Sequence, residues 1–212
     1  MMDNFTASFY QNFIEDDRWK YITDGLFNTL RITFFAVLIG IFLGFLIAVV
    51  RSTYDKTHKL GVLNALCKVY LTVIRGTPVL VQLLIIYFVV FGSVKIDKTL
   101  VAVIAFGINS GAYVAESLGF NYPQTMFYIV MPQAFKNVLP ALGNEFIGLL
   151  KETSVAGYIA IQDLTKGADI IRSRTYSAFM PLIAAALIYL VLVMVFTFFV
   201  QKLERRLRNS DH

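Results

Sequence analysis

From Phe179 to Val200 the chain runs without a single charge. As a helix rising about 1.5 Å per residue, that stretch reaches about 33 Å, the width of a bilayer's hydrocarbon core. A water-soluble domain of 212 residues has no interior large enough to hide such a segment together with the rest of a sequence that is 57% hydrophobic. The mean hydropathy of +0.65 points the same way. The chain therefore reads as an all-α integral membrane protein, a single helical bundle over residues 1–212 with no second domain.

Five spans are expected, at about 26–50, 58–94, 99–116, 138–162 and 179–202. The first surrounds the uncharged stretch Ile32–Val50. The second joins a mixed stretch carrying Lys68 to the uncharged run Gly76–Val94, and reads as one long, broken span. The fourth contains Glu145, Lys151 and Glu152. Five crossings put the termini on opposite sides. The tail "QKLERRLRNSDH" has four Lys/Arg and belongs inside by the positive-inside rule. That leaves the N-terminus outside, with Asp3, Glu15, Asp16, Asp17 and Asp24 ahead of the first span, and the loop 117–137 inside. The remaining charge bias adds little, since the inside segments hold 8 Lys/Arg and the outside segments 7.

Several function classes drop out. The single cysteine, Cys67, forms no internal disulfide, and His58 and His212 are too far apart in sequence to suggest a metal site. Basic residues at membrane ends explain the net charge of +5 more simply than nucleic-acid binding. The acidic N-terminus is the opposite of a basic signal-peptide n-region, so no cleavable signal is expected. No P-loop, G-x-S-x-G or H-E-x-x-H occurs, and no nucleophile–base pair stands out, so the chain is not expected to be an enzyme.

The informative stretch is "VYLTVIRGTPVLVQLLIIYFVVF", Val69–Phe91. Pro78 has no N–H, so the carbonyl of Ile74 loses its helical partner. The proline ring disfavours helical geometry at Thr77, and Gly76 adds backbone freedom. In hydrocarbon a free carbonyl is tolerated only where protein or a wet cavity covers it. Arg75 beside it carries a permanent charge, which costs about 2.5–3.5 kcal/mol at the bilayer centre on insertion scales. "RGTP" thus faces a polar passage, a neighbouring subunit or the membrane surface. The plain alternative is a kink with Arg75 snorkelling to the headgroups. Gln82, Asn109, Glu116 and Glu145 are further polar groups within or at the ends of spans, and Glu145 and Glu152 share nearly one helix face. A solute route with energy supplied from elsewhere fits this pattern. An accessory subunit of a membrane complex and a passive channel are the competing readings.

These residues resemble the membrane-spanning permease subunits of bacterial ABC importers for polar amino acids, the histidine/glutamine/arginine uptake group. "GLFNTLRIT" is similar to that family's G-x-x-x-T-L opening. "RGTPVLVQ" is similar to its R-G-T-P-x-L-V-Q signature, through Arg75, Gly76, Thr77, Pro78, Val81 and Gln82. "GAYVAE" resembles A-Y-x-x-E at Ala112, Tyr113 and Glu116. "MPQAFKNVLPALGNEFIGLLKETSV" resembles its last motif through Pro132, Gln133, Ala134, Leu139, Pro140, Asn144, Glu145, Lys151, Thr153 and Ser154.

The resemblance implies a location in the cytoplasmic membrane and a translocation path shared with a second permease subunit, as a homo- or heterodimer. It implies cytoplasmic ABC ATPase subunits as partners, and an extracytoplasmic binding protein that delivers the amino acid. No cofactor is expected on this chain itself; ATP and Mg belong to the ATPase. The expected substrate pathway uses Gln82, Tyr113 and Glu116, with Thr77, Asn109 and Glu145. Arg75, Gly76, Pro78, Lys151, Thr153 and Ser154 are expected as structural motif positions. The expected ATPase-coupling surface is Gly119, Phe120, Tyr122, Pro123, Met126, Phe127, Met131, Pro132 and Gln133. One departure is large. In the family a longer loop follows A-Y-x-x-E and carries an acid-Ala-Ala…Gly element. Here Tyr113, Val114 and Ala115 stand where the acid-Ala-Ala belongs, and Glu116 is already part of the preceding motif. The junction between Glu116 and Ser117 therefore reads as an excision.

Overall fold

The computed structural model describes residues 2–118 and 131–208. All regular elements among them are helical. They are α1 (Met2–Phe9), α2 (Trp19–Thr57), α3 (Gly61–Gly76), α4 (Val79–Ile85), α5 (Lys98–Ser117), α6 (Met131–Glu152), α7 (Leu164–Thr175) and α8 (Phe179–Arg208). Short π-helical turns follow α1 and α4, and 3-10 turns lie at Glu15–Asp17 and Thr153–Ile159.

Three of these helices, α2, α5 and α8, are long and apolar enough to cross a membrane. The pair Gly61–Gly76 and Val79–Val90 passes the same test only together, and it bends by 112° at its break. The expected spans 99–116 and 179–202 coincide closely with α5 and α8. The expected span 26–50 is the middle of α2, whose 39 residues reach about 58 Å and overshoot the hydrocarbon at both ends. The expected span 138–162 differs most. Helix α6 ends at Glu152, the chain tightens into the 3-10 turn, and Ala160 closes that turn in the left-handed conformation. The charges of Glu145, Lys151 and Glu152 keep this segment below the hydropathy of the other spans.

Helix α5 is the axis of the bundle, with Val101, Ala102, Phe106, Ala112 and Ala115 fully buried. It packs on α2 through two reciprocal G-x-x-x-G pairs, Gly40/Gly44 and Gly107/Gly111. A Cβ on Gly40 would strike the Ser110 hydroxyl, and one on Gly44 would lie 2.6 Å from Val114 and 2.9 Å from the Ala115 backbone nitrogen. In return, a Cβ on Gly107 would lie 2.7 Å from Ile39, and one on Gly111 would lie 2.9 Å from Leu43. Lipid tails are as apolar as leucine, so helices in a membrane associate by close van der Waals approach, which small residues permit. Helix α3 joins this pair where the Tyr70 hydroxyl donates to the Ile108 carbonyl over Gly111.

Helix α7 is pinned against the start of α2 by the residues of "GLFNTL". Gly25 lets the α2 backbone approach the Asp163 carbonyl, which a side chain there would hit. The Asn28 amide donates to the Gln162 carbonyl at 2.9 Å, and the Thr29 hydroxyl accepts from the Leu164 N–H at 3.0 Å. Asp163, fully buried, caps α7 by accepting from the Thr165 and Lys166 N–H groups, each at 3.1 Å. Burial pushes its carboxyl up to about 6, against the pull of those N–H donors toward the ionised form.

Two outcomes follow for stability. Gly44→Ala places its methyl against backbone and should cost about 1–3 kcal/mol. Gly148→Ala, whose Cβ meets nothing within 4 Å, should be neutral or gain up to about 1 kcal/mol of helix propensity. Thermal unfolding in detergent separates the two, and equal shifts would refute the packing argument. For Asp163, the folded chain holds the proton more tightly than the unfolded one. Its contribution to stability is therefore complete below about pH 4 and is lost as pH rises through about 6. D163N, neutral throughout, should show a smaller fall in melting temperature between pH 5 and 7.5. The same fall in both proteins would exclude Asp163.

Candidate functional site

The break between α3 and α4 has the geometry its residues dictate. Thr77 is extended at φ −125°, ψ 145°, as a residue before proline must be. Pro78 follows at φ −63°, ψ 137°, and α4 starts at Val79. Three carbonyls around the break find side-chain donors. The Thr77 hydroxyl donates to the Val73 carbonyl at 2.8 Å. The Gln82 side-chain amide donates to the carbonyl of Ile74 at 2.7 Å, the carbonyl that Pro78 leaves without a helical partner. The same amide reaches the Thr77 carbonyl at 2.9 Å and its hydroxyl at 2.8 Å, sharing two hydrogens among three acceptors. Its oxygen accepts from Asn109 Nδ2 at 3.0 Å, which ties the break to the middle of α5. Gln82 and Asn109 are both buried, and Asn109 Oδ1 has no hydrogen-bond partner in the described chain.

A second tie lies one turn away. The Arg75 guanidinium pairs with the Glu116 carboxylate at 2.7 Å, both side chains about half exposed. It also stands 5.9 Å from the centre of the Tyr113 ring. The "RGTP" segment and the "AYVAE" segment therefore form one cluster, joined by an ion pair and a cation–π contact. Arg75, Gly76, Thr77, Pro78, Tyr113 and Glu116 are all exposed on the single subunit, while Gln82 and Asn109 lie behind them.

The other expected positions lie elsewhere. Glu145 is half-buried on α6, which packs on α8 through Gly143 against Val200 and a Phe146–Phe196 ring pair at 4.8 Å. Lys151 is exposed and Ser154 half-buried. Thr153 is fully buried and donates to the Leu150 carbonyl at 2.9 Å as α6 gives way to the 3-10 turn. Gly119, Phe120, Tyr122, Pro123, Met126 and Phe127 lie outside the described residues. Met131, Pro132 and Gln133 open α6, and only their backbone is described. No group of three or more potential metal ligands occurs among the described residues.

Sequence reading passed over the glycines of the α2–α5 contact and the roles of Asn28 and Thr29. The G-x-x-x-G spacing inside apolar stretches was the available signal for the glycines. No one-dimensional signal marks Asn28, whose partner is 134 residues away.

Known proteins show the same pattern. Residues 110–209 match the family model "Binding-protein-dependent transport system inner membrane component". The chain is 34% identical to the arginine transport system permease protein ArtQ of Bacillus subtilis, over 90% of this chain and 94% of that one. It is 31% identical to the glutamine transport system permease protein GlnP of Escherichia coli, over 88% and 93%. A crystal structure of an amino acid ABC transporter with histidines superposes with a TM-score of 0.78 at 39% identity, covering 88% of this chain and 94% of that one. This chain belongs to the permease subunits of ABC importers for polar amino acids. It is a multi-pass component of the cytoplasmic membrane, of a family that works with ATPase and substrate-binding partners. An inward-facing MetNI methionine ABC transporter, at 16% identity and a TM-score of 0.66, shares the fold.

The network makes Gln82 a structural keystone of the permease. Gln82→Leu keeps the volume but strips two carbonyls and the Asn109 amide of a partner. Each buried group left unsatisfied costs about 1–3 kcal/mol. The variant should unfold at a clearly lower temperature in detergent; an unchanged midpoint would show that the break does not need the amide.

Proposed function

We propose that this subunit lines a route for a polar or basic amino acid along the exposed face that carries the α3–α4 break, and that a second permease subunit closes that face. One observation carries the reading. An arginine, a carboxylate and interrupted backbone stand on the open surface of apolar helices, where hydrocarbon would be a costly neighbour. A facing subunit with water between the two removes that cost. The relatives are named for arginine, glutamine and L-cystine transport, so the cargo class is a small zwitterion with a polar side chain.

In this reading α3 and α4 are separate levers. The buried Gln82–Asn109 bond is the fulcrum on α5, and the Arg75–Glu116 pair is the outer tie. Glu116 lies in the last turn of α5, just before the described chain breaks off at Leu118. A push on the loop 117–137 by a cytoplasmic ATPase hydrolysing Mg-ATP would reach the break through that pair. Gln82 serves the route as scaffold, since its amide and oxygen are bonded within the chain. Tyr113, beside that pair, is the group positioned to meet cargo.

Charge reversal tests the tie. The permease would be reconstituted with its ATPase and binding protein in proteoliposomes, and ATP-driven uptake of arginine and glutamine measured. R75E and E116R should each cut uptake at least tenfold, about 1.4 kcal/mol, without loss of assembly. R75E/E116R should restore most of it. Unchanged uptake in both single variants would end the proposal. Failed rescue with intact assembly would assign Glu116 to the cargo rather than to Arg75.

A further inference from the structure

Of the three helices long and apolar enough to cross a membrane, α8 is the least covered, with only 6% of its most apolar stretch buried. Leu187, Val191, Met194 and Phe198 form one stripe at helical spacing, and each is more than half exposed. The stripe does not end in neutral residues. The next positions on the same side are Lys202, Arg205 and Arg206, all exposed, while Leu203 and Leu207 turn toward the protein. Among the described residues no carboxylate pairs with any of these three cations. With Phe198 and Gln201 they surround a shallow surface recess of about 410 Å³. The Lys202 ammonium stands 6.0 Å from the Phe198 ring.

Depth adds to the argument. The uncharged run of α8 stops at Val200, about 33 Å from Phe179, so Lys202 emerges where hydrocarbon gives way to headgroups. A ligand for this place needs a long apolar part to lie along the stripe and an anionic part to meet three cations at headgroup depth. We propose that the end of α8 is a binding site for an anionic phospholipid. Its acyl chain lies along Leu187, Val191, Met194 and Phe198, and its headgroup phosphate sits among Lys202, Arg205 and Arg206. Arginine forks recognise phosphate oxygens in pairs, and the lysine adds a point charge. A zwitterionic lipid brings its own cation to the same cluster and is the poorer ligand.

Native mass spectrometry of the full chain, purified in detergent and offered equimolar phosphatidylglycerol and phosphatidylcholine, tests this. The chain should retain phosphatidylglycerol at least about fivefold over phosphatidylcholine. K202Q/R205Q/R206Q should lose the preference, and R205Q alone should weaken it. K56Q/K59Q/K68Q, which removes as many exposed charges elsewhere, should keep it. Equal retention of both lipids, or equal losses in the two triple variants, would overturn the proposal in favour of general charge attraction. Displacement of the lipid by millimolar inorganic phosphate would overturn it in favour of a free-anion site.

Discussion

The structure depends on one constraint: a peptide carbonyl cannot be left unpaired at bilayer depth. Pro78 breaks an apolar stretch and orphans the Ile74 carbonyl. One turn further on, Gln82 bends its amide back to fill the gap and binds Asn109 with its oxygen. The break is thereby bonded across its bend and tied to the central helix. Without Gln82, α3 and α4 would gain by straightening or by drawing water to the Ile74 and Thr77 carbonyls. With it, the bend of 112° is tied to the central helix.

The rest of the bundle separates rigid from open parts. The α2–α5 contact, closed by four glycines, and the α7 anchor on α2 bring backbones too near for a side chain between them. The α3–α4 face carries the opposite design, with charge and a bent backbone held by side chains on a surface that the single subunit leaves uncovered. The residues that differ between the two parts are small ones on one side and polar ones on the other.

Much of the fold was legible in one dimension because apolar length is a property of sequence alone. Ile32–Val50 and Phe179–Val200 announce themselves, and Pro78 marks the break from the loss of a single N–H. Helix α6 was harder. Its charges blur the hydropathy signal, and its end at Glu152 depends on the Thr153 hydroxyl turning back onto Leu150. In the candidate site, the motif residues could be named but not joined. Gln82 read as a pathway residue; the geometry shows its amide bonded back to Ile74 and Thr77 along a bent chain. Glu116 read as a substrate-pathway residue; the geometry shows it paired with Arg75, distant in sequence, because α3 and α5 lie side by side.

The amino-acid sequence by itself determined that this chain lives in a membrane, where its apolar spans centre, where one of them breaks and which family its motifs resemble. Each of these follows from local chemistry: hydrophobic length, a missing N–H, a run of residue types at set spacing. The tertiary structure alone decided which polar groups satisfy one another, which glycines are contacts rather than accidents, and which face remains open. Those are outcomes of distance in three dimensions. In a medium without water, a polar group takes whichever partner the packing of helices brings within about 3 Å.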